Sequence, residues 1–313
     1  MIKEQLGNQN SPLNVKRSIR TTLAAIKLNT AAWLLLIPSL ISFIIIVWMP
    51  MISGIVLSFF ETKGYDAVKF VGLRNFIDVI QDSEFKSTLL NTVSYTVWSL
   101  IIGFLFPIFV GILLNEMIHL KAFFKFSVYF PTIVPGIACS LLWSFMFDPG
   151  KGGLLNSLLA QLGLPQSSWL QNPKLTIPLI VTTMTWKGFG GTSLIYLASL
   201  QGINQELYEA SIIDGASVVQ RIRYITLPQI ANIILLMLIM QIIGVFQVMA
   251  EPLTMTDGGP NNASTSLMLQ SYFYAFRYFR ADKSMALGVI TFVMLALLTV
   301  IYQLFSKKAT LDE

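Results

Sequence analysis

Charged residues vanish from long stretches of this chain, and the stretches recur at the length of a bilayer core. No Asp, Glu, Lys or Arg occurs in 28–60, 87–115, 126–147, 224–250 or 284–306, and one lysine, Lys187, interrupts 175–199. Crossing the hydrocarbon takes about 20 mostly apolar residues in helical form. These runs are continuously apolar rather than alternating, which favours helices over barrel strands. The pattern predicts an all-α integral membrane protein with six transmembrane helices, at about 31–59, 88–115, 126–147, 175–199, 229–250 and 284–306. The first run starts too far into the chain and extends too long for a cleaved signal peptide, so it reads as a retained span.

Composition narrows the class further. Of 313 residues, 54% are hydrophobic and 12% charged, with a mean hydropathy of +0.67. A water-facing surface normally draws on about a quarter charged residues, which excludes a soluble enzyme. The high apolar content equally excludes a disordered chain. One cysteine, Cys139, rules out an intrachain disulfide and a multi-cysteine zinc site, and one histidine, His119, argues against histidine-based metal sites. No metal and no cofactor is expected on this chain. A net charge of +5 is small for nucleic-acid binding and suits basic cytoplasmic ends. Lys3, Lys16, Arg17, Arg20 and Lys27 precede the first span against Glu4 alone, which puts the N-terminus in the cytoplasm. Six spans return the C-terminus there. The expected organisation is a basic cytoplasmic tail over 1–30, a membrane domain over 31–306 and a cytoplasmic tail over 307–313. Loops 61–87, 148–174 and 251–282 then lie outside, and 116–125 and 200–223 inside.

The longest inner loop is more than a linker. Asn204 is placed to cap a helix, with Glu206 in its first turn, where the helix dipole favours an acid. Leu207, Ala210, Ile213 and, across the helix, Ile212 give an apolar stripe beside Glu206 and Glu209. Gly215 fits a left-handed turn, a second helix starts near Ser217, and Pro228 marks the entry to the next span. Physics alone leaves two readings open: a helix resting on lipid headgroups, or one whose apolar side faces a cytoplasmic partner.

The spacing of Glu209-Ala210-Ser211, Gly215, Ile225 and Leu227-Pro228 resembles the signature loop of binding-protein-dependent ABC importer permeases. Ser211, in place of the second alanine, is the one departure. Phe70 to Phe76, Pro131 to Pro135, Asp148-Pro149-Gly150, Tyr196-Leu197-Ala198 and Leu253 to Pro260 resemble the sugar permeases of that family, of the maltose and glycerol-phosphate type. The resemblance covers nearly the whole chain from about residue 30. It implies the type I ABC importer architecture in a bacterial cytoplasmic membrane. It also implies a second homologous permease subunit, two ATPase subunits and an extracytoplasmic solute-binding protein as partners. ATP and Mg would sit on the ATPase subunits, since this chain has no phosphate-cradling Gly-x-x-x-x-Gly-Lys-Ser/Thr. Loop 200–228 would couple to the ATPase through Glu206, Leu207, Glu209, Ala210, Ser211, Asp214, Gly215, Ile225, Leu227 and Pro228.

Transport needs no catalytic residue, and no nucleophile–base constellation stands out. Polar groups within spans are candidates for a solute path. On that ground, and by their match to positions around the sugar site of the resembling permeases, the candidates are Thr132, Gly136, Met184, Trp186, Lys187, Gly188, Gln241, Val245, Gln247 and Val248. Gln241, Val245 and Val248 are expected on one helix face, and Thr132 and Gly136 one turn apart. Met184, Val245 and Val248 stand where those permeases carry amides or hydroxyls, a departure from their pattern. Lys187 is the most informative position, because a lysine in a span costs about 2.5–3.5 kcal/mol on insertion scales. It either attracts an acidic sugar or pairs with a carboxylate or carbonyl of the partner subunit. Gly188-Phe189-Gly190-Gly191 reads as close helix packing. The expected function is ATP-driven import of a sugar or oligosaccharide by alternating access. A non-sugar solute such as a phosphodiester is the alternative within transport, and a membrane-embedded enzyme or scaffold without flux the alternative outside it.

Overall fold

The computed structural model describes residues 30–150 and 152–311, and the basic segment expected to form the cytoplasmic tail lies outside them. The chain divides into two units, Met1–Val56 and Leu57–Glu313. What is described of the first is one helix, α1, Trp33–Leu57, which ends one residue into the second unit and carries a π turn at Ile44–Trp48. It contains no charged residue.

The second unit opens with a hairpin, β1 at Phe60–Lys63 and β2 at Asp66–Phe70, followed by α2, Arg74–Ile80. Gly72, at φ +60°, turns the chain between them. The buried amide of Asn75 donates to the carbonyls of Ser58 at 2.9 Å and Phe60 at 2.8 Å, locking α2 to the base of the hairpin. The remaining helices are α3 (Phe85–Glu116), α4 (Lys121–Ile133), α5 (Gly136–Met146) and α6 (Leu154–Gln161). They continue as α7 (Thr176–Leu200), α8 (Gln205–Ile213), α9 (Val218–Gln229) and α10 (Ala231–Phe246). Last come α11 (Ala250–Thr256), α12 (Leu267–Tyr272) and α13 (Ala281–Leu311). Among the described residues, three helices (α1, α3 and α13) are long and apolar enough to cross a bilayer, and the number rises to five if each of two bent pairs forms one span.

Several expected boundaries change. The run 126–147 is two helices, α4 and α5, bent by 94° at Val134–Pro135. A residue before proline is driven out of the helical region, and Val134 has ψ 130°. Thr132 and Gly136 therefore belong to different helices instead of lying one turn apart. The run expected at 229–250 ends at Phe246, so Gln247 and Val248 follow the helix and Val248 does not share its face. A 70° bend separates α9 from α10 at Ile230, just after Pro228. The final helix continues past 306 to Leu311. Helix α7 has the length of a span at 25 residues. Its threonines, glycines and Lys187 keep it less apolar than the others, and it buries residues along its whole length, from Thr176 through Gly190 to Leu200. A helix enclosed by protein can carry such groups where a lipid-facing one cannot.

Three buried clusters hold the unit together. Tyr95, Phe147, Ile180, Val245 and Met255 join α3, α5, α7, α10 and α11. Val79, Leu267, Tyr274 and Leu287 join α2, α12 and α13. Tyr196, Leu200 and Ile230 close the opposite end of α7 on the start of α10. The segments 61–87 and 251–282, both expected outside, interlock. Tyr274 donates its hydroxyl to Asp82 at 2.8 Å, and Asn262 donates to Glu84 at 2.8 Å. The Asp282 N–H donates to the Thr62 hydroxyl at 3.1 Å, and Arg280 grips the Asp282 carboxylate at 3.1 and 3.2 Å.

Burial, reinforced by the hydrogen bond to the Asp82 carboxylate, raises the Tyr274 phenol well above its ordinary value. A raised folded-state pKa means that the neutral phenol contributes stability below about pH 10, which is lost as the pH climbs beyond it. Tyr274→Phe is expected to cost about 1.5 kcal/mol at neutral pH, the lower end for a hydrogen bond to a charged group. It should also flatten the alkaline loss of stability. Thermal unfolding in detergent across a pH series measures both, and a wild-type profile would count against the bond.

Candidate functional site

Two groups of the expected pathway residues come together, in different places. The first borders a cavity of about 270 Å³ between α3, α7 and α10. Helix α7 contributes Val181, Met184, Thr185, Gly188 and Thr192, at the spacing of a single helical face. Helix α10 contributes Met240, Gln241, Gly244 and Val245, and the π turn of α3 at Ser99–Phe104 contributes Ser99 and Gly103. Gly103 lies against this wall: a Cβ there would sit 2.9 Å from the Gln241 amide nitrogen and 3.0 Å from the Thr185 hydroxyl, so a larger residue would shift those two side chains. Met184, Gly188, Gln241 and Val245 were expected on the pathway. Ser99, Thr185 and Thr192 were not, although the 181-184-185-188-192 spacing would have found the two threonines.

The second group lies where α4 breaks into α5. Thr132 donates its hydroxyl to the Lys187 carbonyl at 3.1 Å, and a Cβ on Gly136 would lie 3.7 Å from Lys187 Cε. The Trp186 ring packs edge-on against Trp143 at 5.7 Å. Lys187 is half-buried, and no ion pair involves it among the described residues. The other two candidates join neither group. Gln247 is exposed, and Val248 is buried in the core, its carbonyl accepting from the Ser266 hydroxyl. Of the expected packing glycines only Gly190 makes a close approach, with a Cβ meeting the Val128 carbonyl oxygen at 2.1 Å. Gly188 and Gly191 have nothing within 4 Å.

The inner loop folds from local signals. The Asn204 side chain accepts from the Glu206 N–H at 3.1 Å and caps α8. At the other end Gly215, at φ +76°, takes the left-handed position. Its N–H donates to Ile212 O at 3.0 Å, and the Ala216 N–H donates to Ser211 O at 2.9 Å, so the last carbonyls of α8 are satisfied. Ser217 and Gln220 then form a reciprocal capping box for α9. Ser211 donates its hydroxyl to Tyr208 O at 2.7 Å, and the Tyr208 hydroxyl meets that of buried Thr226 at 3.0 Å, tying α8 to the π turn Ile222–Thr226 of α9. Nothing in α8 is buried. Glu206, Leu207, Glu209, Ala210, Asp214 and Pro228 are exposed, and Ile225 and Leu227 are half-buried. Ile213 is 86% and Val219 73% exposed, which leaves an uncovered apolar strip across both helices.

On the side of the interlocked segments a polar cleft of about 490 Å³ is lined by Glu61, Arg74, Asn75, Asp78, Arg280 and Asp282. The hydrogen bond to the Asp282 carboxylate holds the Arg280 guanidinium above its ordinary pKa. No sequence signal marked this cleft, because its two halves lie some 200 residues apart. The Phe70 to Phe76 motif does supply part of one wall.

The family model for the inner membrane component of binding-protein-dependent transport systems matches residues 103–310. YurN of Bacillus subtilis, a probable ABC transporter permease, is 30% identical over 284 residues, covering 88% of this chain and 95% of its own. MalF of Thermococcus litoralis, a trehalose/maltose transport system permease, is 31% identical over 273 residues, covering 86% and 91%. A chain from the crystal structure of a bacterial ABC transporter involved in the import of the acidic polysaccharide alginate superposes with a TM-score of 0.83. It is 25% identical, over 92% of this chain and 99% of its own. With the helix–glycine–helix loop at the family spacing and these likenesses along most of its length, the chain belongs to the binding-protein-dependent ABC transporter permeases, the inner membrane components of such systems.

Proposed function

We propose that this chain is one of two permease subunits of an ATP-driven importer that carries a sugar or oligosaccharide across the cytoplasmic membrane by alternating access. The observation that carries the reading is the α8–Gly215–α9 loop. It is a capped, preformed element with Leu207, Ile212, Ile213, Val218 and Val219 exposed on it. A contiguous exposed apolar strip rimmed by Glu206 and Glu209 marks an interaction surface. A groove on a separate ATPase subunit, which would hold the ATP and Mg, fits that surface. Glutamate pairing would fix the register, and Gly215, Ile225, Leu227 and Pro228 would shape the turn into the next span.

The sugar class is supported by relatives named for trehalose/maltose, for arabinooligosaccharides (AraP of Bacillus subtilis) and for lactose (LacF of Rhizobium radiobacter). It is also supported by the hydroxyls and the Gln241 amide around the cavity at α3, α7 and α10. In the six-span arrangement, α4 with α5 makes one crossing, α10 makes the crossing that α9 leads into, and α7 is the enclosed sixth. Both termini then face the cytoplasm, and a solute-binding protein docks outside.

Co-purification of the ATPase subunit with the solubilised permease tests the reading. Ile212→Asp with Ile213→Asp should lower recovery about tenfold, as should removal of 204–215. ATP-dependent uptake of labelled oligosaccharide into proteoliposomes should fall in parallel. Recovery that survives both changes would sink the proposal.

A further inference from the structure

Four aromatic rings stand in file from the loop before α7 into the middle of that helix. Trp169 lies 5.8 Å from Phe147, Phe147 lies 5.2 Å from Trp143, and Trp143 lies 5.7 Å from Trp186. Phe147 is buried, whereas the three tryptophans keep part of their surface open. The residue after the last ring is Lys187. Thr132 holds its carbonyl, and its stem runs past Gly136, where a Cβ would lie in van der Waals contact with Lys187 Cε at 3.7 Å. Gly136 and Trp143 lie two turns apart on α5, so one face of that helix meets both Lys187 and Trp186. The ammonium has no ion pair among the described residues. An ammonium at the depth of a span persists where water or an opposite charge meets it.

Resting on the reading of this chain as a glycan importer permease, we propose that Trp186 and Lys187, at the foot of this file, form a subsite for an acidic pyranose. The sugar's C–H face lies on the indole, and its carboxylate pairs with the ammonium. The aromatic surface accepts any pyranose, acidic or neutral. The ammonium discriminates, because in a poorly hydrated site it binds a carboxylate far more strongly than a hydroxyl. Phe147 is buried, and Trp143 and Trp169 pack against the same core, so the other three rings brace Trp186 from behind and leave its own open face for the sugar. A carboxylate from the partner permease would satisfy Lys187 equally well but predicts the opposite pattern. Removing the ammonium would then orphan a buried acid and harm every substrate alike.

The test uses the complete transporter, with its second permease, ATPase subunits and binding protein, in proteoliposomes. Uptake of trigalacturonate is compared with uptake of its carboxyl-reduced, neutral counterpart. Lys187→Gln should slow trigalacturonate about tenfold while moving the neutral trimer less than about twofold, and Lys187→Arg should recover most of the acidic uptake. Trp186→Ala should slow both alike, because stacking does not read charge. Equal losses on the two trimers with Lys187→Gln would overturn the subsite and leave glycan import standing, as would wild-type uptake of the neutral trimer alone. Uptake of neither trimer by the wild type would overturn the acidic subsite, while glycan import as such stands or falls on the co-purification and oligosaccharide uptake described above.

Discussion

Gly190→Leu is expected to leave almost no folded permease in a detergent extract. The position is an approach of α7 to the backbone of α4. A Cβ there would sit 2.1 Å from the Val128 carbonyl oxygen, 2.8 Å from its carbon and 3.0 Å from Tyr129 Cα. None of these is the end of a side chain that could swing away, so any added carbon must push the two helices apart. Overpacking typically costs about 1–3 kcal/mol, and a clash with backbone lies beyond that range. Against a total stability of about 5–15 kcal/mol, that is a large share. Gly190→Ala should already lower the melting temperature measurably. Gly191→Ala is the internal control, since nothing lies within 4 Å of that position and the change should stay within about 0.5 kcal/mol. Size-exclusion profiles and thermal melts of the three variants decide the matter. Indistinguishable behaviour of Gly190→Ala and Gly191→Ala would contradict the helix contact.

Gly215→Val should do the reverse, sparing the fold and stopping transport. At φ +76° a β-branched residue pays about 1–2 kcal/mol of backbone strain, and the α8 closure that depends on this geometry is lost with it. No atom lies within 4 Å of the glycine Cβ position, so the cost is conformational and local. The chain should reach the membrane in normal amount. The helix ahead of the turn would leave its direction, and ATP-dependent uptake should fall about tenfold or more. Gly215→Asn, which tolerates the left-handed region, should fall between the two. Full uptake by the valine variant would refute a role for the turn.

The contrast between these two glycines shows which parts of the molecule were legible in the sequence. Gly215 and Asn204 work on neighbours a few residues away, so cap and turn chemistry marks them in the sequence, as it does the start of a second helix near Ser217. Gly190 was grouped with Gly188 and Gly191 because the sequence shows only that small residues are present. Which of them meets a backbone depends on the angle between α4 and α7. The break at Val134–Pro135 had a local signal in the proline, but the apolar run continues through it and suggested a single helix. Thr185 and Thr192 share a helical face with Met184 and Gly188 and so had a local signal, whereas Gly103 has none, because the partners that make it face a cavity are distant in the chain. Apart from the Phe70 to Phe76 motif on one wall, the polar cleft built from 61–78 and 280–282 lies in that category.

The interlocked segments 61–87 and 251–282 also have a mechanical meaning. Bonds from Thr62, Asp82, Glu84 and Asn91 to partners in 262–282 make that end of the unit stiff. At the other end α8 meets the π turn Ile222–Thr226 through the Tyr208–Thr226 contact. The side-chain link from α8 toward α10 therefore rests on one hydroxyl pair, whereas the far end is cross-linked at several points.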